Sequence, residues 1–517
     1  MKKIGFWEAY SIGVGGMIGG GIFAVLGLTI LLAKGAAPLA FLFAGMIALL
    51  TSYSYAKLSV RYPSEGGTVE FLVRGFGNNF FTSYLNTLLL ASYIIMLSLY
   101  SYAFGSYASA LFFGHEIELA KKIFIVVVIS FFTFLNFLGA YVSGKAEDIM
   151  VFIKVGILVL FSALGFFTAD FLRLSPEHWE SLFKILTGGL IIFLAYEGFE
   201  LIANTAQDVE DPERTLPKAY YAAVSTVIII YVVVAIVAVG NLTYEQVVKY
   251  KDYALAVAAE PFLGKAGFVL IGIAAILSTA SAINATLYGS ARVSYLVAKL
   301  GALPKSFTKK IWKHGTEGLL ILSIFTIIFA VSFNVENISV AGSLGFLTIF
   351  AFVNLANFKL YRETKSNRWI SFIAFLLCVL SAIVLVSYNL EHSPQYLYSA
   401  FVVFVLTLLF ELGYRLFTKV KIKEYIDWKL EEREKLLEKL DELVSKFVNI
   451  IKEAVPSAEV KVILPKEKGF SATLEVFVKD ESQREKVVKK LKENLKKYYP
   501  LNVKVKLKQT ENEKQGG

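Results

Sequence analysis

The feature that most constrains this chain is its series of long apolar segments. An α-helix needs about 20 mainly apolar residues to cross the hydrocarbon layer of a membrane, and the sequence offers twelve such spans. They cover residues 5-33, 38-62, 80-113, 121-140, 146-168, 184-206, 219-241, 264-300, 318-334, 338-361, 369-389 and 395-417. Hydrophobic residues make up 56% of the chain, against roughly 45 to 50% in a soluble domain. We therefore predict an all-α polytopic membrane protein, in direct contact with membrane lipid.

The charge distribution predicts how the chain is oriented. The start, MKKIGFWEAYSIGVGGMIGGGIF, resembles a cleaved signal peptide, but its apolar run continues to about Leu32 and is interpreted as the first span. Lys and Arg are frequent in the loops that lie on the same face of the membrane as the N-terminus, and they are fewer in the loops on the opposite face. This bias predicts that both termini are cytoplasmic in the cell membrane. The same loops account for the net charge of +10 without a nucleic-acid partner.

Several kinds of chemistry find no support in the sequence. Cys378 is the single cysteine, so no disulfide can form within the chain. The four histidines stand singly in polar connecting segments without metal-ligand spacing, so we expect neither a metal nor a cofactor. No nucleophile is paired with a base, and we expect no enzymatic activity.

The composition changes after Phe417 and predicts a separate domain. Apolar residues at helical spacing up to Pro456 predict an amphipathic helix. Two strands are then predicted at AEVKVILP and SATLEVFV, followed by a second helix at ESQREKVVKKLKENLKKYYP and a third strand at LNVKVKLK. We thus expect a twelve-helix membrane domain over residues 1-418, a cytoplasmic α-β-β-α-β domain over 419-510 and a mobile tail over 511-517. The sequence predicts no particular partner for the cytoplasmic domain.

Two spans are poor candidates for continuous helices. The run GVGGMIGGGIF contains six glycines within nine residues, and each glycine inside a helix costs about 1 kcal/mol. Close helix packing is the alternative explanation, because Gly15 and Gly19 have the spacing of small residues at helix contacts. The sixth span contains FLAYEGFELIANTAQD, in which Glu197 and Glu200 flank Gly198.

These interruptions favour transport. The affected spans hold matching places in two five-helix halves, about 5-168 and 184-361, with helices 11 and 12 at about 369-417. Matching broken helices are typical of transporters built from inverted repeats, with the substrate near the membrane midplane. Free N–H groups at such a break attract a carboxylate and free carbonyls attract an ammonium. A zwitterionic amino acid fits both.

Lys154 is the most costly residue in the apolar spans. It lies in VFIKVGILVLF, where an ammonium group costs roughly 2.5 to 3.5 kcal/mol on insertion scales. Counted from Ala146 it is about 12 Å into the span, farther than a snorkelling side chain comfortably covers. A functional role is therefore favoured over snorkelling.

The chain resembles the amino acid–polyamine–organocation superfamily of transporters. The resemblance rests on GVGGMIGGGIF, on FLAYEGFELIANTAQDVEDPERTLPKA and on SAINATLYGSARVSYLVAKLGALP, and it covers about residues 5-417. It is greatest to archaeal proton-coupled members. The resemblance implies twelve membrane helices with a 5+5 inverted repeat, the LeuT-like fold, and alternating access to an amino acid substrate.

The resemblance also implies a set of site residues. The N–H groups of three glycines would bind the substrate carboxylate, and carbonyls at both breaks would bind its amino group; they belong to Gly19, Gly20 and Gly21, and to Met17, Leu194, Ala195 and Glu197. Lys154 would replace a sodium ion, with Gly16, Ser278 and Ser281 as its candidate partners. Burial favours the neutral amine, so Lys154 would couple a proton to transport.

Alternatives remain at both the site and the level of function. Glu197 and Glu200 are rival proton carriers, or structural partners of the broken backbone, and they raise the possibility of a cationic substrate. An amino acid exchanger, or a nutrient sensor that signals through the cytoplasmic domain, would also fit the sequence.

Overall fold

The computed structural model describes residues 4–138, 144–312, 315–418, 445, 448–463, 472–478, 480, 482–483, 485–488 and 501–507. The chain forms two compact units, Met1–Lys423 and Glu424–Gly517. The first unit is built from helices and the second contains a small sheet.

The helices of the first unit follow the apolar segments. In chain order they are α1 Phe6–Met17, α2 Gly21–Ala33, α3 Ala37–Arg61, α4 Thr68–Phe76, α5 Phe80–Phe113, α6 Glu118–Leu138, α7 Gly144–Gly165, α8 Leu182–Ile191, α9 Pro212–Asn241, α10 Tyr244–Tyr250, α11 Ala254–Ala258, α12 Glu260–Lys299, α13 Glu317–Ser332, α14 Val335–Lys359, α15 Arg368–His392 and α16 Leu397–Thr418. Short 3₁₀ segments lie between them, at Phe171–Leu174, Pro176–His178, Phe193–Tyr196, Phe199–Asp208, Lys251–Tyr253, Lys305–Thr308 and Pro394–Tyr396.

Within the described residues, eight helices are long and apolar enough to cross a membrane, and ten spans result if each of two bent pairs counts as one. Two shorter apolar helices, Ile149–Gly165 and Glu317–Ser332, lie at the positions of the fifth and ninth predicted spans. The multi-pass membrane class is therefore confirmed. The count of twelve spans and the 5+5 repeat stay predictions.

The two bent pairs are the predicted broken spans. Helices α1 and α2 meet at 43°, and α8 meets the 3₁₀ segment Phe193–Asp208 at 52°. The first bend falls at Ile18, Gly19 and Gly20, where the glycines weaken the helix. In the second, Gly198 has φ +121°, a conformation that disfavours any residue with a Cβ. Local sequence thus determines where both helices stop.

The remaining helices enclose these breaks. Helix α1 packs against α7, α9 and α12, while α5 runs between α6, α12 and α14. Side chains around the breaks are almost wholly buried, among them Tyr100, Tyr196 and Tyr231. The site is therefore held inside the bundle, where unpaired backbone is costly.

The described residues contain two sheets. Strands β1 Lys310–Trp312 and β2 Gly315–Thr316 form a short antiparallel pair. In the second unit, β3 Glu459–Ile463 pairs antiparallel with β4 Ala472–Val478, which pairs parallel with β5 Leu501–Leu507. These three strands fall within the segments predicted as strands. Most of the two predicted tail helices and all of residues 511-517 lie outside the described residues, so the predicted domain boundaries remain untested.

Candidate functional site

The two broken spans meet at their glycines. A Cβ built on Gly16 would lie 2.8 Å from the Gly198 Cα, and one on Gly21 would lie 2.8 Å from the Ala195 Cα. Contacts this short exclude any side chain at Gly16 or Gly21 unless the backbone moves. The sequence predicts both breaks, and the structure brings them into direct backbone contact.

Side chains from neighbouring helices bind the freed carbonyls of the first break. The Tyr231 hydroxyl of α9 donates to the Met17 carbonyl at 2.6 Å, and the Tyr100 hydroxyl of α5 donates to the Gly16 carbonyl at 3.1 Å. Ser278 of α12 donates to the Ile18 carbonyl at 2.5 Å. Three helices therefore replace the hydrogen bonds that the first span loses where it unwinds.

Tyr231 also bonds the second break. Its hydroxyl lies 3.2 Å from the Ala195 carbonyl as well as 2.6 Å from that of Met17. Both carbonyls are expected from the resemblance to bind a substrate amino group. An ammonium at that place would share them with Tyr231 or displace its hydroxyl, because each carbonyl has a limited number of lone pairs.

Lys154 reaches the first break from α7. Its ammonium nitrogen donates to the Gly15 carbonyl at 2.9 Å, and the side chain is 3% exposed. The sequence places its backbone partner near Gly16, one residue farther along. Ser278, a candidate partner, bonds the Ile18 carbonyl, and Ser281 lies partly buried on the same helix.

The glycine N–H groups differ in their availability. The Gly19 N–H donates to the Gly16 carbonyl at 3.2 Å. Gly20 caps α2 and Gly21 begins it, so N–H groups of this first turn have no partner within the helix. The positive end of the α2 helix dipole lies at these groups and favours an anion such as a carboxylate.

Leu194 is held in place by α14. Its N–H donates to Ser343 Oγ at 3.0 Å, and the Ser343 hydroxyl donates to the Ile191 carbonyl at 2.9 Å. The Leu194 carbonyl accepts the Glu197 N–H at 3.2 Å. The Leu194 side chain packs on Gly342, where a Cβ would come within 2.5 Å.

Two carboxyl groups are buried in the second break. Glu200 is fully buried and accepts the Gly198 N–H at 2.7 Å, closing a tight local turn. Glu197 is 1% exposed, and neither of its carboxylate oxygens accepts a hydrogen bond from a described residue when both groups are ionised. If one of the pair is protonated, the two carboxyls can share that proton.

Sequence reasoning missed Tyr231, Tyr100 and Ser343. Each is a polar group within a predicted apolar span. A buried hydroxyl in a membrane needs a partner, and this signal was available for Tyr231 in YVVVAIVAV. What the sequence does not provide is the distance from that hydroxyl to either break.

Polar contacts close the bundle on the side of residue 4. The Ile4 N–H donates to the Asp208 carbonyl at 2.9 Å. Glu65 accepts from Gln207 at 2.7 Å and forms an ion pair with Arg292 at 2.6 Å. A glutamate at position 207 would place a second carboxyl beside Glu65, so the glutamine suits this contact.

A second polar cluster lies on the opposite side, where α6 and α14 begin. Lys121 donates to the Tyr102 hydroxyl at 2.9 Å, and Tyr102 donates to Asp252 at 3.0 Å. Lys251, next to Asp252, pairs with Glu336. The backbone of Lys251 packs so closely on Gly27 of α2 that a Cβ there would lie 2.2 Å from the Lys251 carbonyl oxygen.

These features define a multi-pass membrane protein with two broken helices that meet inside the bundle. The amino acid permease family matches residues 4–410, and the chain belongs to that family. It is a transporter and not an enzyme. An uncharacterised protein of Methanocaldococcus jannaschii is 36% identical over 419 residues, which is 81% of this chain and 96% of the relative.

Two further relatives are named as transporters. The inner membrane transport protein YbaT of Escherichia coli is 33% identical over 73% of this chain and 88% of its own length. The chloroplastic cationic amino acid transporter 9 of Arabidopsis thaliana is 27% identical over 78% of this chain and 75% of its own length. Family membership therefore supports amino acid transport.

Proposed function

We propose that the protein is a proton-coupled, sodium-independent amino acid symporter that works by alternating access. The substrate binds between the two breaks, with its carboxylate at the start of α2 and its amino group at the carbonyls of Met17, Ala195 and neighbouring residues. Lys154 carries the coupled proton. Both termini face the cytoplasm, and the protein lies in the cell membrane.

The bond from Lys154 to the Gly15 carbonyl carries this proposal. It joins an ionisable side chain on α7 directly to the backbone of α1, next to the expected substrate site. A protonated amine donates and holds α1 against α7. Loss of the proton removes the positive charge and weakens the bond, because hydrogen bonds with an ionised donor are the stronger ones. Proton release would thereby free α1 to move.

The polar contacts on the two sides are candidates for gates. The Glu65, Gln207 and Arg292 group joins the loop after α3 to the second broken span and to α12. The Tyr102, Lys121 and Asp252 group joins the segment that covers α2 to α5 and α6. Alternating access requires that these two sets of contacts open in turn.

The test is uptake into proteoliposomes of purified full-length protein. A panel of labelled amino acids is supplied under an inward proton gradient, with and without sodium, for the wild type, for Lys154→Ala and for Lys265→Ala. Lys265 is an exposed lysine and serves as the control. We expect gradient-driven uptake that is indifferent to sodium, retained in Lys265→Ala and lost in Lys154→Ala.

Other outcomes would contradict the proposal in different ways. Gradient-driven uptake that survives in Lys154→Ala would assign the proton to Glu197 or Glu200. Uptake that occurs only against preloaded amino acid would identify an exchanger. No transport of any substrate, together with amino acid binding, would favour a sensor that acts through its cytoplasmic domain.

A further inference from the structure

The turn between α14 and α15 carries an excess of positive charge. From Lys359 to Arg368 the sequence contains four cationic side chains and one carboxylate, Glu363. That carboxylate accepts a hydrogen bond from the Tyr62 hydroxyl. Because α14 begins at the polar cluster on the opposite side, the turn at its end lies on the same side of the bundle as residue 4.

Two arginines of this turn converge on one tyrosine. Arg362 Nε donates to the Tyr361 hydroxyl at 3.0 Å, and the Arg368 guanidinium lies 5.7 Å from the centre of the same ring. Both arginine side chains are exposed. The hydrogen bond from Arg362, together with the positive charges of both residues, lowers the pKa of Tyr361. Two like charges held this close repel each other, and a bound anion would relieve the repulsion.

Arg362 and Arg368, here called the arginine pair, differ from most other arginines in the described residues. Five others have a carboxylate oxygen at 3.9 Å or less, namely Arg74, Arg173, Arg214, Arg292 and Arg415. Neither member of the arginine pair has such a partner within the described part of the chain. Its two forked N–H arrays are therefore available to an external anion.

An apolar stripe begins beside the arginine pair and runs along α15. Its members recur every three or four residues, so they lie on one face of the helix, and each is at least 39% exposed. They are Trp369, Ile373, Leu376, Leu380 and Ile383. The stripe is about 21 Å long at 1.5 Å per residue, which exceeds half of a hydrocarbon layer about 30 Å thick.

Trp369 joins the charged turn to the apolar stripe. The Arg368 guanidinium lies 5.0 Å from the centre of its ring, and the side chain is 56% exposed. Tryptophan is enriched where a membrane helix meets the headgroup layer, and α15 is long and apolar enough to span. The paired cations thus lie at headgroup level, directly above an exposed apolar surface.

We infer that the arginine pair and the apolar stripe form a binding site for one anionic phospholipid. The two guanidinium groups bind the phosphate through paired N–H donors, and an acyl chain lies along the stripe. A headgroup with net negative charge offsets the excess positive charge of the turn, whereas a zwitterionic headgroup does not. A free phosphate would leave the stripe unused. The inference goes beyond the proposed transport function and does not depend on it.

The experiment titrates purified full-length protein in neutral detergent with three probes. Dioctanoyl phosphatidylglycerol is anionic, dioctanoyl phosphatidylcholine is zwitterionic, and glycerol 3-phosphate has the anion without acyl chains. Native mass spectrometry measures bound probe, and thermal unfolding shows that each variant is folded. The test variant combines Arg362→Gln with Arg368→Gln. The control combines Lys305→Gln with Lys309→Gln, two exposed cations after α12 on the same side, with the same change in charge.

For the wild type and the lysine control we expect phosphatidylglycerol to bind roughly tenfold more tightly than phosphatidylcholine, the size expected for two exposed charge-assisted contacts. In the arginine variant this ratio should fall to about one. Equal binding of the two lipids to the wild type would overturn the inference, and this comparison needs no variant to fold. An equal loss in the lysine control would overturn it as well, because the attraction would then be diffuse.

Two further outcomes would assign the surface to another occupant. Glycerol 3-phosphate that binds as tightly as phosphatidylglycerol would identify a site for a free anion and exclude a role for the stripe. Cysteine crosslinks between the α15 helices of two copies, formed equally with and without phosphatidylglycerol, would assign the stripe to a second copy of the chain. Either result would contradict a lipid site.

Discussion

At the scale of single residues, the site depends on backbone atoms that come too close for side chains. Gly198 has φ +121°, and a Cβ there would lie 2.4 Å from the Gly16 carbonyl carbon. Two penalties therefore coincide, one from the dihedral and one from the contact. Gly156 of α7 differs in both respects, since a Cβ on it meets no atom within 4 Å.

This contrast gives a matched pair of variants. Gly198→Ala should separate the two breaks or destabilise the protein by about 1–3 kcal/mol, and uptake should fall to background. Gly156→Ala should retain uptake, because it adds a methyl group in open space within a helix. The measurements are labelled amino acid uptake and thermal unfolding of both purified variants. Normal transport by Gly198→Ala would show that the breaks need not touch.

The residues also show what sequence can predict. The positions of both breaks follow from local glycine content and from Glu197 and Glu200 within an apolar run, so they can be read without a structure. The contacts across the breaks cannot. Tyr231 is 214 residues from Met17 in the chain, and nothing local shows that its hydroxyl meets both broken spans.

At the scale of elements, the cluster around Asp252 joins several parts of the bundle. Asp252 lies in the 3₁₀ segment Lys251–Tyr253, between α10 and α11, outside the spans. It faces Tyr102 of α5, with Lys121 and Glu116 close behind, and its neighbour Lys251 pairs with Glu336. Burial, followed by the charge of Glu116, raises the pKa of Asp252 to about 6.

The raised pKa predicts a pH-dependent stability. The folded state binds the Asp252 proton more tightly than an exposed carboxyl with a pKa near 3.9 does. The stabilisation that the bound Asp252 proton gives to the folded state is complete below about pH 4, and it is lost as the pH rises through about 6. The side chain of Asp252→Asn stays neutral at every pH. Its free energy of unfolding relative to the wild type should therefore rise by on the order of 1–2 kcal/mol between pH 5 and pH 7.5, allowing for partial solvent access.

Thermal unfolding of the purified protein across this pH range measures the effect. The difference in unfolding temperature between Asp252→Asn and the wild type should widen toward pH 7.5. The exposed control Glu245→Gln should track the wild type at every pH. Parallel pH curves for Asp252→Asn and the wild type would mean that Asp252 is not buried with a raised pKa in solution.

At the scale of the whole molecule, the permease match and the compact units agree on where transport resides. The family match covers residues 4–410, within the first unit, Met1–Lys423. Composition predicts the change at Phe417, because a Lys- and Glu-rich segment cannot continue a series of membrane helices. Sequence does not predict what the second unit does, since its strands contain no catalytic or metal-binding pattern.

Deletion of residues 420-517 tests whether transport needs the second unit. We expect the truncated protein to retain most of the proton-driven uptake, because the broken spans, Lys154 and both polar clusters all lie before residue 418. The measurement is initial uptake rate in proteoliposomes, normalised to protein that elutes as a single species on size exclusion. A well-folded truncated protein that binds amino acids but no longer transports them would show that the second unit takes part in the transport cycle. That result would also make the sensor alternative the stronger one, because ligand binding would then depend on the first unit and its consequence on the second.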